Sequence, residues 1–223
     1  MTSLLLVADH CEMMLCFGGI STRTAQISPA GTSSHKVGAW LARLEDAGVR
    51  VLSIAPERGE AREWLATRPG TDTALILALI HCIVAAGRED RAFLSRCTSG
   101  WEALKAYVMG EADGVAKSAN WAQGICDIPA PVIEELAETL AEKRSMISMA
   151  WGLQRADHGE QPIWAGLALA AVLGQIGQPG TGYSFGYGSV TAVGRPVRWI
   201  PWPSLPKLRN AVEDFIPVAR IAD

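Results

Sequence analysis

Met13 to Phe17 (MMLCF) is an unbroken apolar run stopped by Gly18-Gly19, the pattern of a buried strand ending in a tight loop. Ser21 to Ser34 is rich in Ser, Thr and Gly and too polar for a core. From His35 to Ala47 the apolar positions Val37, Trp40, Leu41 and Leu44 recur at helical spacing, with Gly48 as a C-cap. Val49 to Ile54 (VRVLSI) predicts the next strand, closed by Ala55-Pro56. Strand, loop, helix, strand is the βαβ order, which implies a parallel sheet covered by helices. After a brief Trp64-Leu65-Ala66 segment, Thr71 is placed as the N-cap of an apolar helix running to Ala86, ahead of Gly87. Ser99-Gly100-Trp101-Glu102 has the form of a capping box opening a helix through Val108. Pro131 suits the first turn of a helix that aligns Val132, Ile133, Leu136 and Leu140 on one face. Met146 to Ala150 reads as a further buried strand, followed by the loop Trp151 to Arg155 and a helix from Gln161 to Ile176.

The pattern changes after residue 182. Tyr183 to Val212 holds four prolines (Pro196, Pro201, Pro203, Pro206) and no periodic element. Arg195, Arg198, Lys207 and Arg209 stand there beside Trp199 and Trp202 without an acidic partner. The expected organisation is a Rossmann-like three-layer α/β domain with a mostly parallel sheet over 1–182. An extended Pro/Gly-rich segment over 183–223 would lead towards a missing domain, or wrap over its own domain.

Composition narrows the class. The chain has 223 residues, of which 49% are hydrophobic, too many for global disorder and enough for a sizeable core. A net charge of −3 argues against a nucleic-acid binder held by its charge. The apolar run Thr73 to Gly87 is shorter than the roughly 20 residues that span a bilayer and carries His81, so no membrane insertion is expected. Met1 to Ala8 lacks the basic start and cleavage site of a signal peptide. Cys11, Cys16, Cys82, Cys97 and Cys126 form no CxxC pair, so neither a zinc knuckle nor an iron–sulfur loop is read, and reduced, mostly buried thiols are expected.

In open α/β sheets ligands bind beyond the carboxyl ends of the strands. That selects the loops at Phe17-Gly18-Gly19, Ser53 to Arg58, Pro69-Gly70-Thr71-Asp72 and Trp151 to Arg155. Glycines let a backbone approach a phosphate, and amides at a helix start supply an anion site. Gly18-Gly19 is a weak signal, not a GxGxxG fingerprint, and by itself reads first as a plain tight turn. Asp72 suits either an amino or ribose hydroxyl donor or a first-turn acid favoured by the helix dipole. Asp157-His158-Gly159-Glu160 gathers an acid, an imidazole and a carboxylate, a combination that also describes a solvated turn. His10, His35 and His81 are not at metal-ligand spacing, and no GxSxG, Walker loop or HExxH occurs. The residues by themselves reach an α/β domain with a nucleotide-type ligand.

Four stretches go further: FGGISTRTAQISPAGTSSH (17–35), the segment from RPGTDTALILALIHC to NWAQGIC (68–126), WGLQRADHGEQPIWAGLALAAVLGQIGQPGTG (151–182) and FIPVARIAD (215–223). Together they resemble the molybdopterin oxidoreductases of the dimethyl sulfoxide reductase type, in the branch of biotin sulfoxide and trimethylamine N-oxide reductases. The resemblance runs in order over nearly the whole chain, with PGTD and WGxQRxxHGEQ as its most specific pieces. It implies a domain that cradles a molybdenum bis(molybdopterin guanine dinucleotide) cofactor. Carried over by position, Gly18 and Gly19 would approach one dinucleotide and Gly70, Thr71 and Asp72 would hold the guanosine end. Trp151, Gly152, Gln154 and Arg155 would lie along the pterin and pyrophosphate.

The resemblance also shows departures. Ala55 stands where relatives often present an acidic residue, which leaves Ser53, Glu57 or backbone groups for a ribose contact. Arg58 to Trp64 is shorter than in relatives, and Thr24 stands where an Asn is common. The serine that ligates molybdenum in this branch has no counterpart, so no residue here is assigned to the metal or to catalysis. The implied role is a central fragment of an enzyme that reduces a small sulfoxide or N-oxide by oxygen-atom transfer, inactive alone and completed by remaining domains or other chains. The alternatives are a non-catalytic dinucleotide-binding module and an interaction subunit.

Overall fold

The computed structural model describes residues 2–20, 22, 37–187, 203 and 206. Its centre is a parallel sheet of five strands: β1 (Met13–Phe17), β2 (Arg50–Ile54), β3 (Glu63–Leu65), β4 (Ser145–Met149) and β5 (Gly182–Phe185), in the order β3-β2-β1-β4-β5. β1 lies in the middle, with Met13 opposite both Arg50 and Ser145 and Phe17 opposite both Ile54 and Met149. A central parallel strand is covered on both faces, which is why MMLCF carries no polar alternation. The five β1 residues are all buried.

Alternate side chains feed two cores. Met13, Leu15, Phe17, Leu52, Ile54, Ile147 and Met149 point to one face. That face is covered by α3 (Asp72–Ala85), α6 (Ala119–Cys126), α7 (Ala130–Glu142) and α8 (Glu160–Val172). Met14, Cys16, Val51 and Met146 point to the other, covered by α1 (Leu4–His10) and α2 (Val37–Asp46). Two smaller helices, α4 (Arg91–Cys97) and α5 (Trp101–Val108), complete the first layer. This is the expected three-layer α/β arrangement. α3 is its keystone: Leu75, Ile76, Leu79, Ile80 and Ile83 are at most 1% exposed, enclosed by the sheet and by α5 to α8.

Several local expectations need correction. Thr71 occupies the N-cap position of α3 but does not cap it. Its hydroxyl donates instead to the Arg68 carbonyl at 2.6 Å, closing the preceding turn. The capping box at Ser99 does not form: Gly100, with φ +78°, is the N-cap of α5, which shifts the start by one residue and leaves Ser99 outside. α8 ends at Val172 rather than Ile176, because Gly174 turns the chain at φ +67°. β5 is Gly182–Phe185, so Tyr183 to Phe185 form a strand where no regular element was expected. Three helices went unread. α1 is capped by Ser3 and buries Leu4 and Val7, α4 is capped by Asp90 and α6 by Ser118, each side chain accepting a backbone N–H. Each is only seven or eight residues long, too short for periodicity to declare.

All five cysteines are free. Cys11, Cys16 and Cys126 are buried, Cys82 is half-buried and Cys97 is exposed. Among the described residues no helix is long and apolar enough to cross a membrane. The polar segment Ser21 to Ser34 lies outside the described residues apart from Thr22, and so does the Trp- and Arg-bearing stretch 188–212 apart from Pro203 and Pro206.

Candidate functional site

Strand order reverses between β1 and β4, which leaves a crevice beyond their carboxyl ends. There the loops are pinned together. Gly18 N donates to Ile54 O at 2.9 Å and Ala150 N to Phe17 O at 2.9 Å, so the ends of β1, β2 and β4 form one ledge. Gly18 and Gly19 turn consecutively through φ +73° and +82°. The turn serves packing as well as direction. A Cβ on Gly18 would lie 2.9 Å from both Ala150 Cβ and Leu153 Cγ, so the close approach of the β1 and β4 loops needs a bare α-carbon.

The crevice opens into a cleft of about 740 Å³. Four of the expected site residues line it together: Gly18, Gly70, Asp72 and Gly152. Their neighbours include Pro56, Pro69, Leu153, His158, Gln161 and Pro162. Sequence reasoning chose the loops but passed over Gln161 and Pro162, which α8 brings in from its first turn. Their signal was adjacency to the HGEQ end of the most specific motif.

Asp72 is the unusual group. It opens α3, is 5% exposed, and its Oδ1 has no hydrogen-bond partner among the described residues. Burial pushes its carboxyl up to about 6, against the helix-start environment that favours the anion. A solvated first-turn acid would show neither the burial, nor the unpartnered oxygen, nor the raised carboxyl. The helix-dipole reading therefore accounts for the position of Asp72 and not for its burial.

Ser53 and Gly19 form a second group. Ser53 is buried at 1% exposure, and its Oγ also lacks a partner among the described residues. A Cβ on Gly19 would meet that Oγ at 3.4 Å. Since Leu52 and Ile54 face the α3 layer and Val51 the α2 layer, Ser53 belongs to the α2 side of the sheet. The expected site residues thus straddle the sheet edge.

The turn after β4 is a 3₁₀ helix, Trp151–Arg155. Trp151 stacks on Phe185 with ring centroids 5.6 Å apart, so this tryptophan ties the turn to β5. Gln154 and Arg155 are exposed and sit in sequence between the cleft-lining Leu153 and Ala156. Gly159 locks the turn: a Cβ there would fall under 3.0 Å from Gln154 backbone atoms, so WGLQRADHG folds back on itself only with glycine at that place. His158, at φ +52°, is 77% exposed and stands 3.9 Å from Asp157 and 3.8 Å from Glu160. That is a solvated turn on the cleft wall. Thr71 lies between Gly70 and Asp72, its hydroxyl committed to Arg68 and within 3.3 Å of Thr67 Oγ1.

Another cleft, of about 350 Å³, lies against β2, β3 and α7 at Arg50, Arg62, Trp64 and Val132. It contains none of the expected site residues. Among the described residues no group of three or more His, Cys, Asp or Glu is placed to hold a metal ion.

Residues 32–203 match the family model described as molybdopterin oxidoreductase. This chain belongs to the molybdopterin oxidoreductase family. It is 46% identical to a biotin sulfoxide reductase of Cereibacter sphaeroides over 97% of its own length and 30% of that protein's. A dimethyl sulfoxide/trimethylamine N-oxide reductase of the same organism is 32% identical, over 98% of this chain and 28% of the relative. A trimethylamine-N-oxide reductase of Haemophilus influenzae is 36% identical, over 97% and 28%. The chain therefore spans under a third of the length of these relatives. Its backbone is similar to part of the acetylene hydratase from Pelobacter acetylenicus, with a TM-score of 0.57 and 22% identity over 76% of this chain and 22% of that one, a likeness of fold. Family membership implies a molybdenum–molybdopterin cofactor.

Proposed function

We propose that this domain cradles the dinucleotide framework of a bis(molybdopterin guanine dinucleotide) molybdenum cofactor within an S-oxide or N-oxide reductase. One observation carries the reading: a single cleft at the switch point gathers Gly18, Gly70, Gly152 and a buried carboxylate, Asp72, whose Oδ1 has no hydrogen-bond partner among the described residues. Buried polar atoms in native proteins are satisfied by protein or by ligand. An orphaned carboxylate and an orphaned hydroxyl at Ser53, beside glycines that hold the backbone bare, fit a ligand rich in N–H, ribose and phosphate groups.

In this reading the Asp72 carboxylate accepts from the amino and ring N–H groups of guanine, a charge-assisted pair inside the cleft. Gly18 and Gly70 keep the backbone open to the sugar–phosphate chain, and Gly19 lets the ligand pass above Ser53, whose hydroxyl meets the ribose. Thr71 braces the Arg68–Asp72 turn through its bond to Arg68 O. Gly152, Gln154 and Arg155 run along the pterin and pyrophosphate, with the Arg155 cation available to phosphate oxygens. Trp151, stacked on Phe185, fixes where that turn stands. When bound, the molybdenum cofactor supplies the two-electron oxygen-atom transfer that reduces a sulfoxide or N-oxide, and the protein orients and tunes it. The polypeptide contributed by remaining domains or other chains completes the enzyme, and this chain alone has no turnover.

The test is calorimetric titration of the 223-residue chain with guanosine and adenosine diphosphates, beside Asp72→Asn. The expected result is preference for the guanine nucleotide, lost about tenfold or more in the variant, the scale of one charge-assisted hydrogen bond. Equal binding of the two nucleotides, or an unaltered preference in the variant, would remove Asp72 from base recognition.

A further inference from the structure

The turn that presents Asp72 is held from outside the cleft. Thr67 and Asp72 are each 5% exposed, whereas Arg68, Pro69 and Gly70 between them are exposed and Thr71 is half-buried. Packing does not fix this excursion: a Cβ added to Gly70 would meet nothing within 4 Å. The bonds that do fix it converge on Arg68. Its carbonyl accepts from Thr71 N at 3.3 Å and from the Thr71 hydroxyl at 2.6 Å. Its amide donates to Cys126 O at 3.2 Å. Its guanidinium grips the Asp127 carboxylate with both arms, Nε donating to Oδ2 at 3.0 Å and Nη2 to Oδ1 at 2.8 Å.

Asp127 stands at the C-terminal end of α6 with φ +63°, one of two non-glycine residues with positive φ among the described residues. Its own N–H donates to Gln123 O at 3.1 Å and closes the helix. Aspartate tolerates the left-handed region, but Gly or Asn would end the helix equally well, so the helix itself does not call for a charge there. The two side chains of the pair are 52% and 63% exposed. An exposed pair stabilises a fold little, whereas a two-pronged arginine–carboxylate contact fixes direction as well as distance. We propose that Arg68 and Asp127 are positioning residues for the cleft: their clasp ties the end of α6 to the turn and, through Thr71, sets where the Asp72 carboxylate stands. Neither residue lines the cleft. The effect of the clasp on a ligand rests on Asp72 as the base-recognising group; its effect on Asp72 itself does not.

The test compares the 223-residue chain with Arg68→Gln, Asp127→Asn, the double variant and Arg68→Lys. Asn keeps the left-handed helix end at ease, so Asp127→Asn removes the charge alone. Carbon NMR follows the titration of the Asp72 carboxyl, recognised as the signal that Asp72→Asn removes. Calorimetry gives the preference for guanosine over adenosine diphosphate. With the turn loosened, water reaches Asp72, and its midpoint should fall from about 6 towards the ordinary 3.8 in both single variants. Direct charge effects cannot imitate this, because loss of a nearby cation raises a carboxyl and loss of a nearby anion lowers it. The base preference should fall with it, by up to about fivefold, and no further in the double variant, since the two residues act as one contact. Arg68→Lys, which keeps the charge and loses the fork, should lie between. An unmoved Asp72 midpoint in the single variants, or midpoints displaced in opposite directions, would overturn the proposal. So would a lowered urea midpoint with titration and preference intact, the mark of a merely structural pair. Fallen midpoints in a chain with no base preference would keep the clasp and remove the guanine reading.

Discussion

Ser53 and Asp72 lie on opposite sides of the sheet edge, and each holds a buried oxygen with no hydrogen-bond partner among the described residues. Unmet polar groups cost stability, and these two flank one switch-point crevice.

Asp72 makes the ligand-free chain pH-dependent. Its carboxyl is raised from its ordinary 3.8 to about 6, so the folded state binds the proton more tightly than the unfolded state. Its contribution is complete below pH 4, falls as pH rises through 6, and stays lost above that. Asp72→Asn should therefore raise stability at pH 7.5 by on the order of 3 kcal/mol and change it little at pH 4. Urea unfolding at the two values checks this, and a variant equally displaced at both would sink the explanation.

Ser53→Ala deletes a hydroxyl that the free chain does not satisfy. The free chain should gain roughly 1 kcal/mol, while affinity for a guanine nucleotide falls. Thermal melts with and without guanosine diphosphate separate the two effects. A destabilised free chain would mean that the hydroxyl has a partner after all.

Gly18→Ala should be costly twice over, once for φ +73° and once for the 2.9 Å approach of the new methyl to Ala150 and Leu153. A loss of about 2 kcal/mol is expected in chemical denaturation. Gly87→Ala offers the control, because its φ is +66° but nothing lies within 4 Å of its added Cβ. It should show the backbone part of the cost only.

Thiol labelling reads the burial of the cysteines. Cys97 is exposed, whereas Cys16 is fully enclosed and burial pushes its thiol up to about 12. A brief treatment with a maleimide at pH 7.5 should modify Cys97 first and Cys16 only on unfolding, which peptide mass spectrometry would show. Early modification of Cys16 would contradict the central placement of β1.

The α/β class, the strands β1, β2 and β4 and the long helices α2, α3, α7 and α8 were legible because local pattern decides them. An apolar run of five closed by glycine, or a helix-length run of apolar residues, has one economical home in a parallel sheet with helical cover. The strand-end loops were legible for the same reason, since their positions follow from where the runs stop. Nothing local could show that Thr71 bonds backwards to Arg68, that Gly100 displaces the Ser99 cap, or that Gly182–Phe185 completes the sheet. Those outcomes depend on which partner reaches a group first. The same holds for the site. Sequence placed Asp72 at a helix start, where an exposed acid is stabilised by the helix dipole; only the packing of β1, β4, α3 and α8 around it withdrew its water and left Oδ1 unmatched. Burial and orphaning are properties of several segments at once, so the sequence by itself determined the loops and the tertiary structure alone decided which of their atoms are buried without a partner.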